Sequence, residues 1–416
     1  MHPYNTIARS LARRPEIKIL YIIHTTEMHG ATISCIKMIK GLKQFGIKPI
    51  VIYPDYSDDI DAISVIKSSN IKCIPCPIVA SWYRPFSIFS WNLIKLLRNL
   101  IRLYGLHRMK KNSFKKIYKI AKEEMPSIIH TNVGVCHEGL AVAEKIKIPH
   151  IWHLREYQDL DFGFRPFPSK RNFIKKLRKS NVITITKNIQ KHFSLENYPK
   201  AKTIYNAILS KNNVIYLPKK RKIFLCASRV SPEKGHYEVI EAFAEFHKKY
   251  CDYKLIIAGF GDANYINICK ELAEKLNVTN NVEFVGYKNE EELSGLMKNA
   301  TALIVNSKFE GFGRMTAEAL FYGCLVIGKN TGGTKEIIEQ VGGGFLYNDV
   351  TALGKYMEEM LSFVGTTRYK EIISNAQERI VKTFSIEQNI NNIISFYEQV
   401  SKNTHAQEAM MFSLGV

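Results

Sequence analysis

Residues 306–338 read NSKFEGFGRMTAEALFYGCLVIGKNTGGTKEII. The apolar run 302–306 before them predicts a buried strand, and Glu310 stands just past its end. Gly311 and Gly313 loosen the backbone, and a helix is predicted to begin near 314–316. Its first N–H groups and its dipole would favour a bound phosphate. Residues 325–328 predict the next strand, and Gly332-Gly333 the turn after it. Strand, loop, helix and strand in this order predict a parallel sheet with ligands held at the carboxyl ends of its strands.

The same alternation extends outward. Short β-branched runs at 17–23, 49–53, 71–74, 127–130, 150–153 and 182–186 predict strands in the first half. Those at 223–227, 254–258, 282–285, 302–306 and 325–328 do so in the second. Stretches such as 237–249, 265–276 and 290–299 carry apolar residues at helical spacing between them. So many strands point to two sheets. The boundary is placed near 207–221, where polar 209–213 and the Pro-plus-basic 217–222 (LPKKRK) precede a new strand. The expected divisions are 1–208, 209–384 and a C-terminal part, 385–416, able to pack back on the first domain; residues 384–400 read as a helix, and no pattern shows in the tail after 402.

The chain has 416 residues, 46% hydrophobic and 23% charged, and a net charge of +21. This excludes collagenous, low-complexity and disulfide-scaffold classes. Residues 1–208 hold 35 Lys+Arg against 14 Asp+Glu, whereas 209–416 hold 24 of each. The excess lies wholly in the first half and favours a phosphate-bearing partner. Eight spread cysteines, with Cys73 and Cys76 as one C-x-x-C lacking a second pair, read as reduced thiols. The apolar run after the basic N-terminus is too short for a signal-peptide core, and no run is long enough to span a bilayer. A cytoplasmic protein is expected.

Four further stretches carry candidate chemistry. Residues 228–235 (SRVSPEKG) set Arg229 and Lys234 around a turn, where both could meet one diphosphate; the plain alternative is two solvated loop cations. Glu318 stands eight residues after Glu310, so both carboxylates could face one cleft and accept sugar hydroxyls; the equal alternative is an exposed helical Glu318 and a loop Glu310. The first strand runs into HTTEMHGATIS, whose Gly30 opens a helix, a weak phosphate-loop signal. Gly259-Phe260-Gly261-Asp262 reads as a tight turn. No D-x-D stands at a strand end and no His/Asp cluster shows metal-ligand spacing.

These pieces together resemble the family 4 nucleotide-sugar glycosyltransferases, which have the two-domain GT-B fold. The matching residues are SRVSPEKG, VEFVGY at 282–287, EGFGRMTAEAL with Glu310 and Glu318 at the E-x7-E spacing, and GGTKEII. In the first half, the Gly30 loop, His153 in HIWHLREY and Tyr205-Asn206-Ala207-Ile208 match more thinly, with Ala207 replacing the usual glycine. The resemblance implies two doubly wound Rossmann-like domains facing each other across a cleft. It implies a retaining, metal-independent enzyme without a cofactor beyond its nucleoside-diphosphate sugar. Arg229 and Lys234 would neutralise the leaving diphosphate. Glu318 would bind the ribose hydroxyls. Glu310 would hold the donor sugar with the amides of Gly311, Phe312 and Gly313. His153 would face sugar and acceptor, although a satisfied histidine at a strand end stays open.

Residues 82–122 carry eleven Lys+Arg and no Asp or Glu. The stretch 88–104 (IFSWNLIKLLRNLIRLY) has the spacing of a basic amphipathic helix, as do the lysines at 110, 111, 115, 116, 119 and 122. Such a helix reads as an anionic membrane surface element, with Trp82, Phe86, Phe89 and Trp91 entering the headgroup boundary. Lys-rich 170–179 adds to it. The expected role is extension of a glycan or lipid-linked glycan on the inner face of a bacterial-type membrane, in cell-surface polysaccharide such as lipopolysaccharide or capsule. The alternatives are a nucleotide-sugar epimerase of the same fold and a basic nucleic-acid-binding protein. Against the second, the chain shows no helix-turn-helix, zinc spacing or aromatic RNA-binding motif.

Overall fold

The computed structural model describes residues 17–56, 61–83 and 93–413, without side chains for 93–100, 102–103 and 404–413. The chain divides into two compact units, 1–207 with 389–416, and 208–388.

In the first unit the strands are β1 (Ile17–Ile22), β2 (Ile47–Pro54), β3 (Lys72–Cys76), β4 (Ile128–Asn132), β5 (His150–Leu154), β6 (Asn181–Thr184) and β7 (Ala201–Thr203). They form one seven-stranded sheet in the order β3-β2-β1-β4-β5-β6-β7, and every pairing is parallel. Helices cover the faces, so β1, β4 and β5 are buried along nearly their whole length. That is why β1 reads as an apolar run without alternation, whereas β4 and β5 also bury polar residues. Helix α1 (Gly30–Lys43) buries Cys35, Ile36, Met38, Ile39 and Leu42. Helices α2 (Asp61–Lys67), α3 (Leu93–Glu124) and α4 (Glu138–Ile146) follow in chain order. Helix α5 (Lys170–Leu177) is capped by the Ser169 hydroxyl, which accepts from Asn172 N, and α6 (Lys187–His192) by Thr186. Trp82–Tyr83 and Arg165–Pro166 make a small antiparallel pair.

The second unit holds β8 (Ile223–Ala227), β9 (Lys254–Ala258), β10 (Val282–Gly286), β11 (Ala302–Val305), β12 (Leu325–Lys329) and β13 (Gly344–Tyr347). Their order is β10-β9-β8-β11-β12-β13, again parallel throughout. Both sheets therefore reverse winding beside their first strand, where doubly wound sheets bind ligands. The helices are α7 (His236–His247), α8 (Ala263–Lys275), α9 (Glu290–Asn299), α10 (Arg314–Phe321), α11 (Gly332–Val341), α12 (Leu353–Leu361) and α13 (Thr367–Phe384); α14 (Ile386–Ser413) follows and belongs to the first unit from Asn389 onward. Helix α7 buries Val239, Ile240, Phe243, Ala244 and Phe246 against the sheet. Asn289 and Glu292 form a reciprocal capping box at α9.

Three readings need correction. The basic stretch 217–222 is not a free linker: Lys220 Nζ donates to the Lys298 and Gly323 carbonyls, each at 2.7 Å, and Arg221 N to the Asn299 carbonyl. Phe384 does not start the C-terminal helix but ends α13. Extended Ser385 separates it from α14, which runs past Lys402 to Ser413. Trp82 is 3% exposed and packs edge-on against Phe173 at 5.2 Å. It is a core residue rather than a headgroup anchor, while Phe86, Phe89 and Trp91 lie outside the described residues.

Candidate active site

In the second unit the switch point lies between β8 and β11. A pocket there is lined by Ala227 and Ser228 from one strand end and Val305 and Asn306 from the other, with Lys234, Glu310, Gly313 and Arg314. Asn306 braces the floor. Its amide donates to the Gly235 carbonyl at 2.9 Å, and its Oδ1 accepts from Tyr347 OH at 2.9 Å. Burial pushes His236 down to about 4, so that imidazole is neutral near pH 7. Its Nε2 lies 3.2 Å from Ser228 Oγ.

Lys234 Nζ donates to Glu310 Oε2 at 2.8 Å, with both side chains about one-fifth exposed. The predicted diphosphate cation and the predicted sugar carboxylate thus meet directly. Gly313 at φ 89° precedes α10, and no side chain caps that helix. Its first-turn N–H groups lack intrahelical acceptors, as at any helix start. The 311–313 loop is held by close backbone contact. A Cβ on Gly333 would sit 1.9 Å from the Phe312 carbonyl oxygen, so only glycine fits there. The Phe312 side chain packs against Phe384 at 5.9 Å. Gly333 N donates to the Glu310 carbonyl at 2.7 Å, tying the α11 start to this loop.

Glu318 is 5% exposed, and its Oε1 accepts from Arg314 Nε at 2.6 Å. It stands one helical turn behind Arg314, and it is not among the pocket lining. Arg229 is exposed and lies outside the lining.

The GFGD turn places more than the sequence disclosed. Phe260 and Tyr287 follow the ends of β9 and β10. Their rings stack at 5.2 Å and 10° while 69% and 62% exposed. Val230 N donates to the Phe260 carbonyl at 2.6 Å, so the pair adjoins the Arg229–Lys234 loop. A Cβ on Gly259, at φ 149°, would lie 1.9 Å from the Ser228 carbonyl oxygen. Glycines around an exposed aromatic were the available signal.

In the first unit, His153 lies on β5 opposite Asn132 of β4. It is 1% exposed, and burial with the neighbouring Arg155 charge pushes its pKa well below the ordinary range. Arg155 Nε donates to Asn132 Oδ1 at 2.5 Å, and Nη1 donates to Asn206 Oδ1. Gly30 starts α1, and a Cβ there would meet nothing within 4 Å among the described residues. No close approach requires glycine at that position. Asp159 and Asp161, a D-x-D beyond β5, are engaged locally. Asp159 accepts from Lys170 at 2.9 Å, and Asp161 from Tyr157 N at 2.7 Å. Among the described residues no group of three His, Cys, Asp or Glu could hold a metal ion.

Residues 210–379 match the family model of glycosyl transferases group 1. That stretch, most of the second unit, is thus similar to the group 1 glycosyl transferases. An uncharacterized glycosyltransferase of Methanocaldococcus jannaschii is 27% identical over 236 residues, which are 52% of this chain and 59% of that one. The match thus spans under two thirds of that relative's length. The alpha-monoglucosyldiacylglycerol synthase of Streptococcus pneumoniae is 24% identical over 66% of this chain and 68% of its own. The crystal structure of Anabaena HepE in complex with UDP superposes with a TM-score of 0.72 at 19% identity. It covers 92% of this chain and 100% of HepE. The two doubly wound units are those of the GT-B glycosyltransferase fold.

Proposed function

We propose that the chain is a retaining, metal-independent glycosyltransferase. It would move a sugar from a nucleoside-diphosphate sugar to a glycan or lipid-linked glycan. The observation that carries this reading is the switch-point pocket, where Lys234, Glu310 and the α10 N-terminus converge. Bond breaking at the sugar leaves negative charge on the diphosphate. A cation and aligned backbone N–H groups stabilise that charge without reorganising, which removes the need for a metal. Arg229 adds a second cation at the pocket's approach. Glu310 accepts hydrogen bonds from the transferred sugar, and Glu318 from the ribose. Phe260 and Tyr287 offer a flat platform to a nucleobase. His153, in the first unit, is assigned to an oxygen of the sugar or acceptor.

The family match supports transfer over the epimerase alternative. The UDP bound in HepE supports a UDP-type donor, and the product named for the pneumococcal relative supports a lipid acceptor. Such an acceptor fits the exposed face of α3, where Ile101, Tyr104, Arg108, Lys111, Lys115, Lys119 and Lys122 recur at helical spacing. Among the described residues no helix is long and apolar enough to cross a membrane, so the proposed attachment is peripheral. Thermal stabilisation screened across UDP, GDP, ADP and their sugars tests the reading. A shift of several degrees with one nucleotide is expected, whereas no shift with any would oppose it.

A further inference from the structure

A chain of buried polar side chains runs through the first unit to His153. His130 and Asn132 lie two residues apart on β4, and His153 and Arg155 are likewise two apart along β5 and the residue after it. Two-residue steps put such side chains on one face of a sheet. Arg155 Nη2 lies 3.3 Å from His153 Nδ1, and His130 Nε2 lies 3.2 Å from the same atom. His130 Nδ1 lies 2.7 Å from Tyr397 OH, which lies 2.9 Å from Tyr21 OH. Tyr397 comes from α14, 267 residues from His130.

The direction of every bond follows from one cation. A guanidinium only donates, so His153 Nδ1 is an acceptor. Burial and the Arg155 charge keep both imidazoles neutral near pH 7. A neutral His153 that accepts at Nδ1 carries its proton at Nε2. His130 Nε2 faces that same acceptor and is therefore the N–H of its own ring. His130 Nδ1 then accepts from Tyr397, whose oxygen accepts from Tyr21.

His153 Nε2 is buried and has no partner among the described residues. A buried N–H is costly unless it meets an acceptor, so a ring kept only for packing would pair both nitrogens.

We propose that Arg155, His130 and Tyr397 are positioning residues that hold His153 as its Nε2–H tautomer, a fixed hydrogen-bond donor to an oxygen of the sugar or acceptor. The substrate contact rests on the function proposed above; the tautomer does not. Tyr21 only completes the Tyr397 hydroxyl.

Nitrogen-15 NMR of protein labelled in histidine, with His153→Gln for assignment, reads the tautomer directly. The native spectrum is expected to show His153 protonated at Nε2 and unchanged between pH 6 and 8. In Arg155→Met the cation that sets the direction is gone, the chain of bonds can run either way, and His153 should become a mixture of tautomers; in Tyr397→Phe, Arg155 still donates, so His153 should stay protonated at Nε2. In Tyr21→Phe, Tyr397 still donates, so the native tautomer should persist. Turnover by Tyr397→Phe should fall about tenfold in kcat, the scale of one hydrogen bond, with KM for the donor nearly unchanged. A native His153 protonated at Nδ1, or a tautomer balance unmoved by Arg155→Met, overturns the proposal. The native spectrum decides it alone if Arg155→Met does not fold. It also decides it if no donor is turned over, an outcome that would instead count against the proposed function.

Discussion

Lys234 Nζ and Glu310 Oε2 lie 2.8 Å apart at the switch point of the second sheet. The residue assigned to the diphosphate and the residue assigned to the sugar thus form one ion pair. In the proposed reaction, donor binding would divide them, with Lys234 turning to the phosphates and Glu310 to the sugar hydroxyls. The pair holds both side chains near their working positions and shields each from an unpaired, partly buried charge.

Lys234→Ala should therefore lower kcat by at least about 100-fold, the usual loss when one charge-stabilising group is removed. Urea unfolding should change by only about 1 kcal/mol, since the pair stays partly solvated. Arg229→Ala, at an exposed site, should cut turnover without a measurable stability change. Native-like turnover in Lys234→Ala would remove the diphosphate assignment.

Phe260→Ala and Tyr287→Ala should each weaken nucleoside-diphosphate binding about tenfold, because stacking contributes about 1–3 kcal/mol per base. Titration calorimetry with UDP reads this, and a sugar phosphate lacking the base serves as control. Equal affinity in native and variant proteins would show that the exposed pair is not a base platform.

How much of this was legible depended on whether residues lie close in sequence. The second-unit pocket is built largely from 228–235 and 306–333, so composition and spacing disclosed Lys234, Glu310 and the glycine loop. Orientation was not legible. Glu318 turned toward Arg314, and Arg229 toward solvent. In the first unit, the H-x-N and H-x-R steps at 130–132 and 153–155 put four polar groups on one buried face, a readable signal. Nothing local to Tyr397 shows that it meets His130. Trp82 misled because an aromatic beside a basic run reads as amphipathic, whereas packing against Phe173 and Phe193 decides its place.

Anionic vesicles should retain the protein at low salt and release it at 1 M salt, where the Debye length falls to about 3 Å. Replacing Lys111, Lys115, Lys119 and Lys122 with Glu should abolish co-sedimentation and leave UDP affinity unchanged. These lysines are exposed, while Lys116 pairs with Asp55 at 3.5 Å. Equal binding to neutral and anionic vesicles would remove the membrane role.

Acid should destabilise the fold. Burial lowers His24 and His236 to about 4 and His150 to about 3, so these groups stay neutral in the folded chain while the unfolded chain takes up protons below about 6.5. Stability is full above that pH and falls as pH drops toward those values, by about 1.4 kcal/mol per unit per histidine. Glu156, raised to about 7, works in the opposite direction but is one group against several. The urea midpoint should fall between pH 7.5 and 5.5; a rising midpoint would contradict this.

The most direct test is product analysis with UDP-sugars and a glycolipid acceptor in the presence of EDTA. The account predicts a glycosylated acceptor and free UDP. The new bond should keep the donor's anomeric configuration, and neither Mg²⁺ nor Mn²⁺ should be needed. Conversion of the donor without an acceptor, activity only after metal is restored, or an inverted anomer would contradict it.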